Sequence, residues 1–366
     1  MDKLEYLYNT NLNLPIQKND VGEITWQSPS NIALVKYWGK YGNQLPMNPS
    51  VSFTLKESFT ETTLKYKTTN SGKLAFSFYL AGKQKPEFES KLTNLFNKII
   101  GIFPFLNQLE LEIYSNNTFP HSSGIASSAS GMSALALCLC SLEQKLFNID
   151  IAKSEFYKKA SYISRIGSGS AARSVYGRLV SWGRSEIIAS SSDYFASELS
   201  TQLNSVFTNF QDSIILISSD AKKVSSTVGH GLMNNHPFAY ARFTQAKSNF
   251  NKIIDVLKSG DLDKFISIVE NEAMSLHAMM MTSNPGYFLF EPNTLHAIKR
   301  IISFRERTKL PICFTLDAGP NIHLLYPENI KLEVNGFINE ELLIFSNQKQ
   351  VIYDEVGNGP NVVNMK

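Results

Sequence analysis

Four stretches of this chain hold side chains whose types and spacing suit phosphate and carboxylate chemistry. The first is "HSSGIASSASG" (residues 121–131), small and hydroxyl-rich, lying directly before an apolar run. A helix start leaves backbone N–H groups without partners and carries partial positive charge, so it is a natural seat for phosphate when no bulky side chain intervenes. Gly124, Ala126 and Ala129 would let the backbone approach. Ser127 and Ser128 add hydroxyls that can reach phosphate oxygens or a bound Mg²⁺. Close helix packing uses the same residue types, so both readings stand at this point. The loop has neither the P-loop pattern nor a G-x-S-x-G nucleophile elbow.

The second stretch, "SRIGSGSAARSVYGRL" (164–179), combines Gly167, Ser168, Gly169 and Ser170 with Arg173, three residues past Ser170. A guanidinium grips carboxylate or phosphate in a planar, two-pronged way. A flexible turn with a surface arginine is the plainer alternative. The third stretch runs from Ser28 to Leu55 and carries Lys36, Tyr37, Trp38 and Lys40 in a strand-like run. Alternation puts Lys36, Trp38 and Lys40 on one face, either as a solvated edge or as an anion site with an aromatic wall. The fourth is "DAGPN", in which Asp317 opens a tight Gly-Pro turn.

These stretches need elements to position them. "EITWQ" (23–27), "SVSFTLK" (50–56), "TETTLKYKT" (60–68) and "QLELEIYS" (108–115) alternate as strands do. "EFESKLTNLFNKIIGIF" has helical periodicity, and a further helix follows the small-residue loop to about Phe147. "GRLVSWG" (177–183) and "SIILIS" (213–218) read as strands on either side of a soft boundary. The second half is helix-rich and ends its pattern in strand, tight turn, strand at "PICFTLDAGPNIHLLYP". Antiparallel strands with grouped helices predict an α+β fold in layers. The expected lobes are 1–190 and 191–366.

Composition narrows the function. The 366 residues are 43% hydrophobic and 18% charged, enough for a sizeable core. A net charge of +3 gives no field that argues for nucleic acid or an anionic membrane, but leaves room for a local anion site. Cys138, Cys140 and Cys313 form no disulfide framework, and the first two read as small buried hydrophobes. With no signal-peptide or membrane-span pattern, a soluble, cytoplasmic setting is expected. His277, in a methionine-rich helix, reads as a hydrogen-bonded core or cleft histidine.

Taken in order, "NIALVKYWGK", "SGIASSASG", "GSGSAARS" and "DAGPN" resemble segments of the mevalonate diphosphate decarboxylases, within the superfamily of galactokinase, homoserine kinase, mevalonate kinase and phosphomevalonate kinase. The resemblance spans about residues 23–360. It implies a GHMP-kinase-like two-lobed fold, with a ribosomal-protein-S5-like first part, a ferredoxin-like second part and the site in the cleft between. It implies ATP-dependent decarboxylation of a phosphorylated mevalonate, with ATP and Mg²⁺ as cofactors, and often a homodimer. On that resemblance Asp317, Lys36 and Arg173 are expected to be catalytic, and Arg173 also to hold the substrate carboxylate. Tyr37, Lys40, Ser168 and Ser170 would bind the substrate. Gly124, Ser127 and Ser128 would cradle the nucleotide, the two serines also meeting the metal. Asn31 would support the site. A decarboxylase of the monophosphate, a 3-kinase that does not decarboxylate, and a silent nucleotide-binding homologue are the alternatives. His230 stands where the family commonly has Met.

Overall fold

A computed structural model describes residues 8, 12–14, 20–120, 125–199, 203–218 and 226–366. The first half opens with β1 (Val21–Val35), the short hairpin β2 (Lys40–Tyr41) and β3 (Leu45–Pro46), and β4 (Ser50–Thr68). Next come β5 (Ala75–Leu80), β6 (Lys83–Gln84), helix α1 (Pro86–Ile99) and β7 (Leu109–Asn117). Three helices follow: α2 (Ser127–Phe147), α3 (Lys153–Gly167) and α4 (Ala171–Ser174), then β8 (Leu179–Trp182) and β9 (Ala196–Glu198).

The second half begins with β10 (Gln211–Ile215). Four helices come next: α5 (Ser226–Gly231), α6 (Ala239–Ser259), α7 (Leu262–Met281) and α8 (Pro292–Thr308). The chain closes with β11 (Cys313–Thr315), β12 (Ile322–Tyr326), α9 (Lys331–Phe337), β13 (Val351–Glu355) and β14 (Asn361–Met365).

Two sheets carry the architecture. The larger runs β14-β1-β4-β7-β5-β6, with β8 attached to β4 and β9 to β8; all its pairings are antiparallel except β5 with β7. The smaller runs β11-β12-β10-β13 and is antiparallel throughout. This is the expected α+β arrangement, and the last strand returns to the edge of the first sheet.

Helix α2 packs on the larger sheet, and its small residues explain how. Ser130 Oγ lies 2.6 Å from Thr60 Oγ1 on β4, and Ser133 Oγ bonds Ser28 Oγ on β1. Bulkier side chains would hold the helix off the sheet. One face of the helix therefore uses small residues for packing, while its first two serines line a cavity. Cys138 and Cys140 are buried in the same helix, Cys138 Sγ lying 3.4 Å from the Thr62 carbonyl. Among the described residues no cluster of His, Cys, Asp and Glu could hold a metal ion, and no helix is long and apolar enough to cross a membrane.

One expectation is corrected. β1 stops at Val35, so Lys36, Trp38 and Lys40 are not alternating residues of one strand face. Further on, Gly39 takes φ +95°, a conformation no strand uses, and its N–H donates to His230 Nδ1 at 3.0 Å. Lys36 reaches the cavity from an irregular loop and Lys40 from the start of β2.

Candidate active site

A cavity of about 310 Å³ lies between the sheets and is lined by residues from both halves of the chain. Lys36, Tyr37 and Trp38 come from the loop after β1, Lys40 from β2, Ser127 and Ser128 from the start of α2, Ser168 and Ser170 from the turn into α4, and Arg173 from α4 itself. Asp317 and Ala318 enter from the turn between β11 and β12, and Thr227 and His230 from α5. Every expected site residue that the structure describes therefore meets at one cavity. Gly124 lies outside the described residues, as do His121–Ser123.

Lys36 is 1% exposed, and its ammonium donates to Asp317 Oδ1 at 2.9 Å. The carboxylate side of the pair is 26% exposed, so it faces the cavity while the lysine is sealed behind it. Burial pushes the Lys36 ammonium below its usual range, and Asp317, followed by Glu272, pulls it back up. His277 Nε2 donates to the Asp317 carbonyl at 3.1 Å, with its ring stacked 4.0 Å from Phe290. It steadies the turn from the core.

Arg173 is 3% exposed and is held by neutral oxygens. Its Nε donates to Ser52 Oγ at 3.0 Å and Asn31 Oδ1 at 3.2 Å, and its Nη1 to Ser50 Oγ at 2.7 Å. Asn31 is fixed in turn by Ser174 Oγ at 2.7 Å. Among the described residues no carboxylate forms an ion pair with Arg173. Burial brings the guanidinium down to about 10, with Asp317 acting against that shift. Such a charge asks for an anionic partner from solution.

Two further lysines reach the cavity. Lys40 is braced by Gln44 Oε1 at 2.8 Å, and burial followed by the charge of Lys98 lowers its pKa. Lys91 of α1 stands at the rim beside Ser127 and Ser128; desolvation and then Lys40 lower its pKa. Among the described residues the lining thus holds four cations and one carboxylate. Tyr37 Oη is buried without a hydrogen-bond partner among the described residues, and burial raises its pKa. The serine turn lies against this tyrosine because Gly169 has no Cβ; one would sit 2.8 Å from Tyr37 Oη. His230 is wedged between Tyr37 and Trp38, with ring centroids 4.4 and 4.5 Å away.

Sequence reasoning missed Lys91, His230 as a wall, and the serines that seat Arg173. Ser50 and Ser52 alternate within "SVSFT", a period-2 polar pattern that marks one strand face. For Lys91 no local signal exists, because an amphipathic helix carries lysines as a matter of course. A second, apolar cavity adjoins the first, sharing Phe88, Lys91, Ser127 and Ser128 with it and extending to Phe78, Leu80 and Ile113. The start of α2 therefore lies between a cationic chamber and an apolar one.

The family models that match are the diphosphomevalonate decarboxylase-like N-terminal domain, over residues 28–196, and the mevalonate 5-diphosphate decarboxylase C-terminal domain, over 213–356. A diphosphomevalonate decarboxylase of Candida albicans is 30% identical, covering 82% of this chain and 83% of its own length. One from Danio rerio is 27% identical over 82% of this chain and 75% of its own. Among solved structures, mevalonate diphosphate decarboxylase of Staphylococcus aureus superposes with a TM-score of 0.79 at 26% identity, covering 94% of this chain and 99% of that one. MDDEF, solved in complex with MVAPP, AMPPCP and magnesium, superposes equally well at 25% identity and with the same coverage.

Proposed function

The chain belongs to the diphosphomevalonate decarboxylase family, and we propose that its cavity carries out the reaction of that family. Mevalonate 5-diphosphate and ATP are converted to isopentenyl diphosphate, ADP, phosphate and CO₂. The observation that carries this reading is the charge of the site: among the described residues, a buried arginine without a counter-ion, two lysines without one, and a single acid paired to a lysine. That set matches a substrate with a carboxylate, a hydroxyl and a diphosphate.

The 3-hydroxyl is a crowded nucleophile, and hydroxide is a poor leaving group. Transfer of the γ-phosphoryl of ATP to that oxygen converts it into a phosphate that can depart. Asp317 orients the hydroxyl and receives its proton as the O–P bond forms. Lys36, 2.9 Å behind that carboxylate, offsets charge on the acid and on the phosphoryl in transit. Arg173 holds the substrate carboxylate. When phosphate leaves C3 with the C–O electron pair, the electrons of the C–CO₂⁻ bond form the alkene and CO₂ is released. Tyr37, Lys40, Ser168 and Ser170 bind the remainder of the substrate. Ser127 and Ser128, with Lys91, hold the nucleotide phosphates.

Mg²⁺ fits this set as an ion carried by the nucleotide. The described residues offer no acidic cage, and Mg²⁺ is commonly held by one or two protein oxygens together with phosphates and water. The Ser127 and Ser128 hydroxyls would supply such oxygens; the ion neutralises phosphate charge. We read the lobes as 1–190 and 191–366, with β9 and β14 completing the first sheet. A homodimer, on the resemblance alone, and a cytoplasmic setting, on the sequence pattern, are part of this reading, and light scattering tests the former.

The deciding assay measures ADP and CO₂ from ATP, Mg²⁺ and mevalonate 5-diphosphate, with the 5-monophosphate and free mevalonate in parallel. Equal ADP and CO₂ from the diphosphate are expected. ADP without CO₂ would make the chain a 3-kinase, preference for the monophosphate a different decarboxylase, and no product a silent homologue.

A further inference from the structure

Glu272 lies in the middle of α7, is 0% exposed, and takes no part in the chemistry above. Both its oxygens are committed. Arg242 of α6 grips it in two-pronged fashion, Nη1 to Oε1 at 3.0 Å and Nη2 to Oε2 at 2.5 Å. Asn249, on the same helix, donates to Oε1 at 2.7 Å. The fourth bond leaves the helix pair: the backbone N–H of Lys36 donates to Oε2 at 2.9 Å. On the other side of that residue, Asn48 Nδ2 donates to the Lys36 carbonyl at 3.0 Å. Lys36 follows the last residue of β1, and side chains hold its backbone where the strand has ended.

The same helix fixes the partner of Lys36. His277, five residues beyond Glu272, bonds the Asp317 carbonyl. A single rigid element thus sets the backbone of both members of the Lys36–Asp317 pair, although they stand 281 residues apart in sequence. Stability alone does not account for a buried Arg–Glu pair, because an apolar pair of similar volume commonly does as well.

We infer that Glu272, held by Arg242, is a positioning residue for the transfer reaction: it fixes the Lys36 backbone and supplies a buried negative charge behind the lysine. The inference rests on the assignment of Lys36 to the transfer step. The groups acting on the Lys36 ammonium are Asp317 from the β11–β12 turn, Glu272 from α7, Arg173 from α4 and Asp212 from β10. Asp317 and Glu272 favour the charged form, while burial and Arg173 disfavour it. Without Glu272 the ammonium is displaced and loses its proton at lower pH.

The test is turnover of ATP and mevalonate 5-diphosphate by the full chain between pH 6 and 10, for wild type, Glu272→Gln, the double variant Arg242→Met with Glu272→Met, and Lys36→Met. Glu272→Gln is expected to lower kcat by about 100-fold, the scale set by an ångström of misplacement. Its KM values should stay within about threefold. The basic limb of kcat should move to lower pH. The double variant replaces the ion pair by apolar volume, so it stays folded if Glu272→Gln alone does not, and the same loss is expected. Wild-type kcat and an unmoved basic limb in either folded Glu272 variant, with Lys36→Met inactive, would overturn the inference. Wild-type turnover by Lys36→Met would instead overturn the assignment of Lys36, and with it the reason for positioning it.

Discussion

Arg173 shows how a single residue can be costly at rest and useful when substrate is bound. Its charge is buried, and the oxygens around it belong to two serines and an asparagine. Neutral partners offset only part of the desolvation cost of an ion. Removing the charge should therefore impair turnover without impairing folding. Arg173→Gln is expected to slow CO₂ release by about 100-fold or more, comparable to losing one preorganised donor at a developing charge. Its melting temperature without ligand should not fall, and ADP affinity should be unchanged. Calorimetry, together with ADP titration, checks this; a large loss of stability would mean that the guanidinium is structural. Asp317→Asn should abolish both ADP and CO₂ formation while leaving nucleotide binding intact, because it removes the proton acceptor and half of the ion pair with Lys36. A turnover assay beside nucleotide titration decides it. The identities of these residues were legible in the sequence because each sits in a short, dense motif. Their support was not. Asn48, Ser50 and Glu272 are ordinary residues until folding brings them against Lys36 and Arg173, Ser50 and Glu272 from distant segments.

The loop from Lys36 to Gly39 is the element on which the site depends most. Its residues are apolar and aromatic enough to read as a continuing strand, and the glycine that closes the loop carries no signal of which way the chain then turns. The turn is set by tertiary contacts: Gly39 donates to His230, and the His230 ring lies against Tyr37 and Trp38. Burial, with Lys40 adding to it, holds His230 at about 3, down from its ordinary 6.5. It is therefore neutral in the folded protein. Between those values the unfolded chain binds a proton that the folded chain does not, so this contribution is complete above pH 6.5 and is lost as the pH falls toward 3. At pH 5 the loss amounts to about 2 kcal/mol, from roughly 1.4 kcal/mol per pH unit. Urea unfolding of wild type should weaken by about that amount between pH 7.5 and 5, beyond the weakening seen in His230→Gln, which keeps an acceptor for Gly39. Equal pH dependence in the two proteins would show that His230 is protonated without consequence.

At the scale of the whole molecule the question is what joins the two sheets. The sequence separates strands at 50–56 and 60–68, whereas the structure forms one strand, β4, from 50 to 68. The break in the pattern has a physical counterpart. β1 pairs with Thr54 and then with Phe59, so residues 55–58 bulge out of the ladder. There the second sheet takes hold. Asp354 of β13, 4% exposed, accepts the N–H groups of Lys56 at 2.9 Å and of Glu57 and Ser58 at 2.8 Å each. Leu55 and Val356 form an isolated bridge, and Gly357 donates to the Thr54 carbonyl at 2.8 Å. The fold class and motif order could be read from the sequence, but this clamp could not, since a lone aspartate in "VIYDEVG" has no visible partner. Asp354→Ala leaves three bulge amides without their acceptor, at a cost of about 3 kcal/mol or more, since a bond to a charged group contributes roughly 1.5–3 kcal/mol. The loss falls on the joint between the sheets, so the two halves should stop melting together. All three tryptophans, Trp26, Trp38 and Trp182, lie in the first half, whereas far-ultraviolet circular dichroism reports helices in both. In wild type the fluorescence and dichroism midpoints in urea should coincide, and in Asp354→Ala they should separate, the signature of lost two-state behaviour. Coincident midpoints at lower urea would mean that Asp354 stabilises both halves without coupling them, and that the joint lies elsewhere in the cleft.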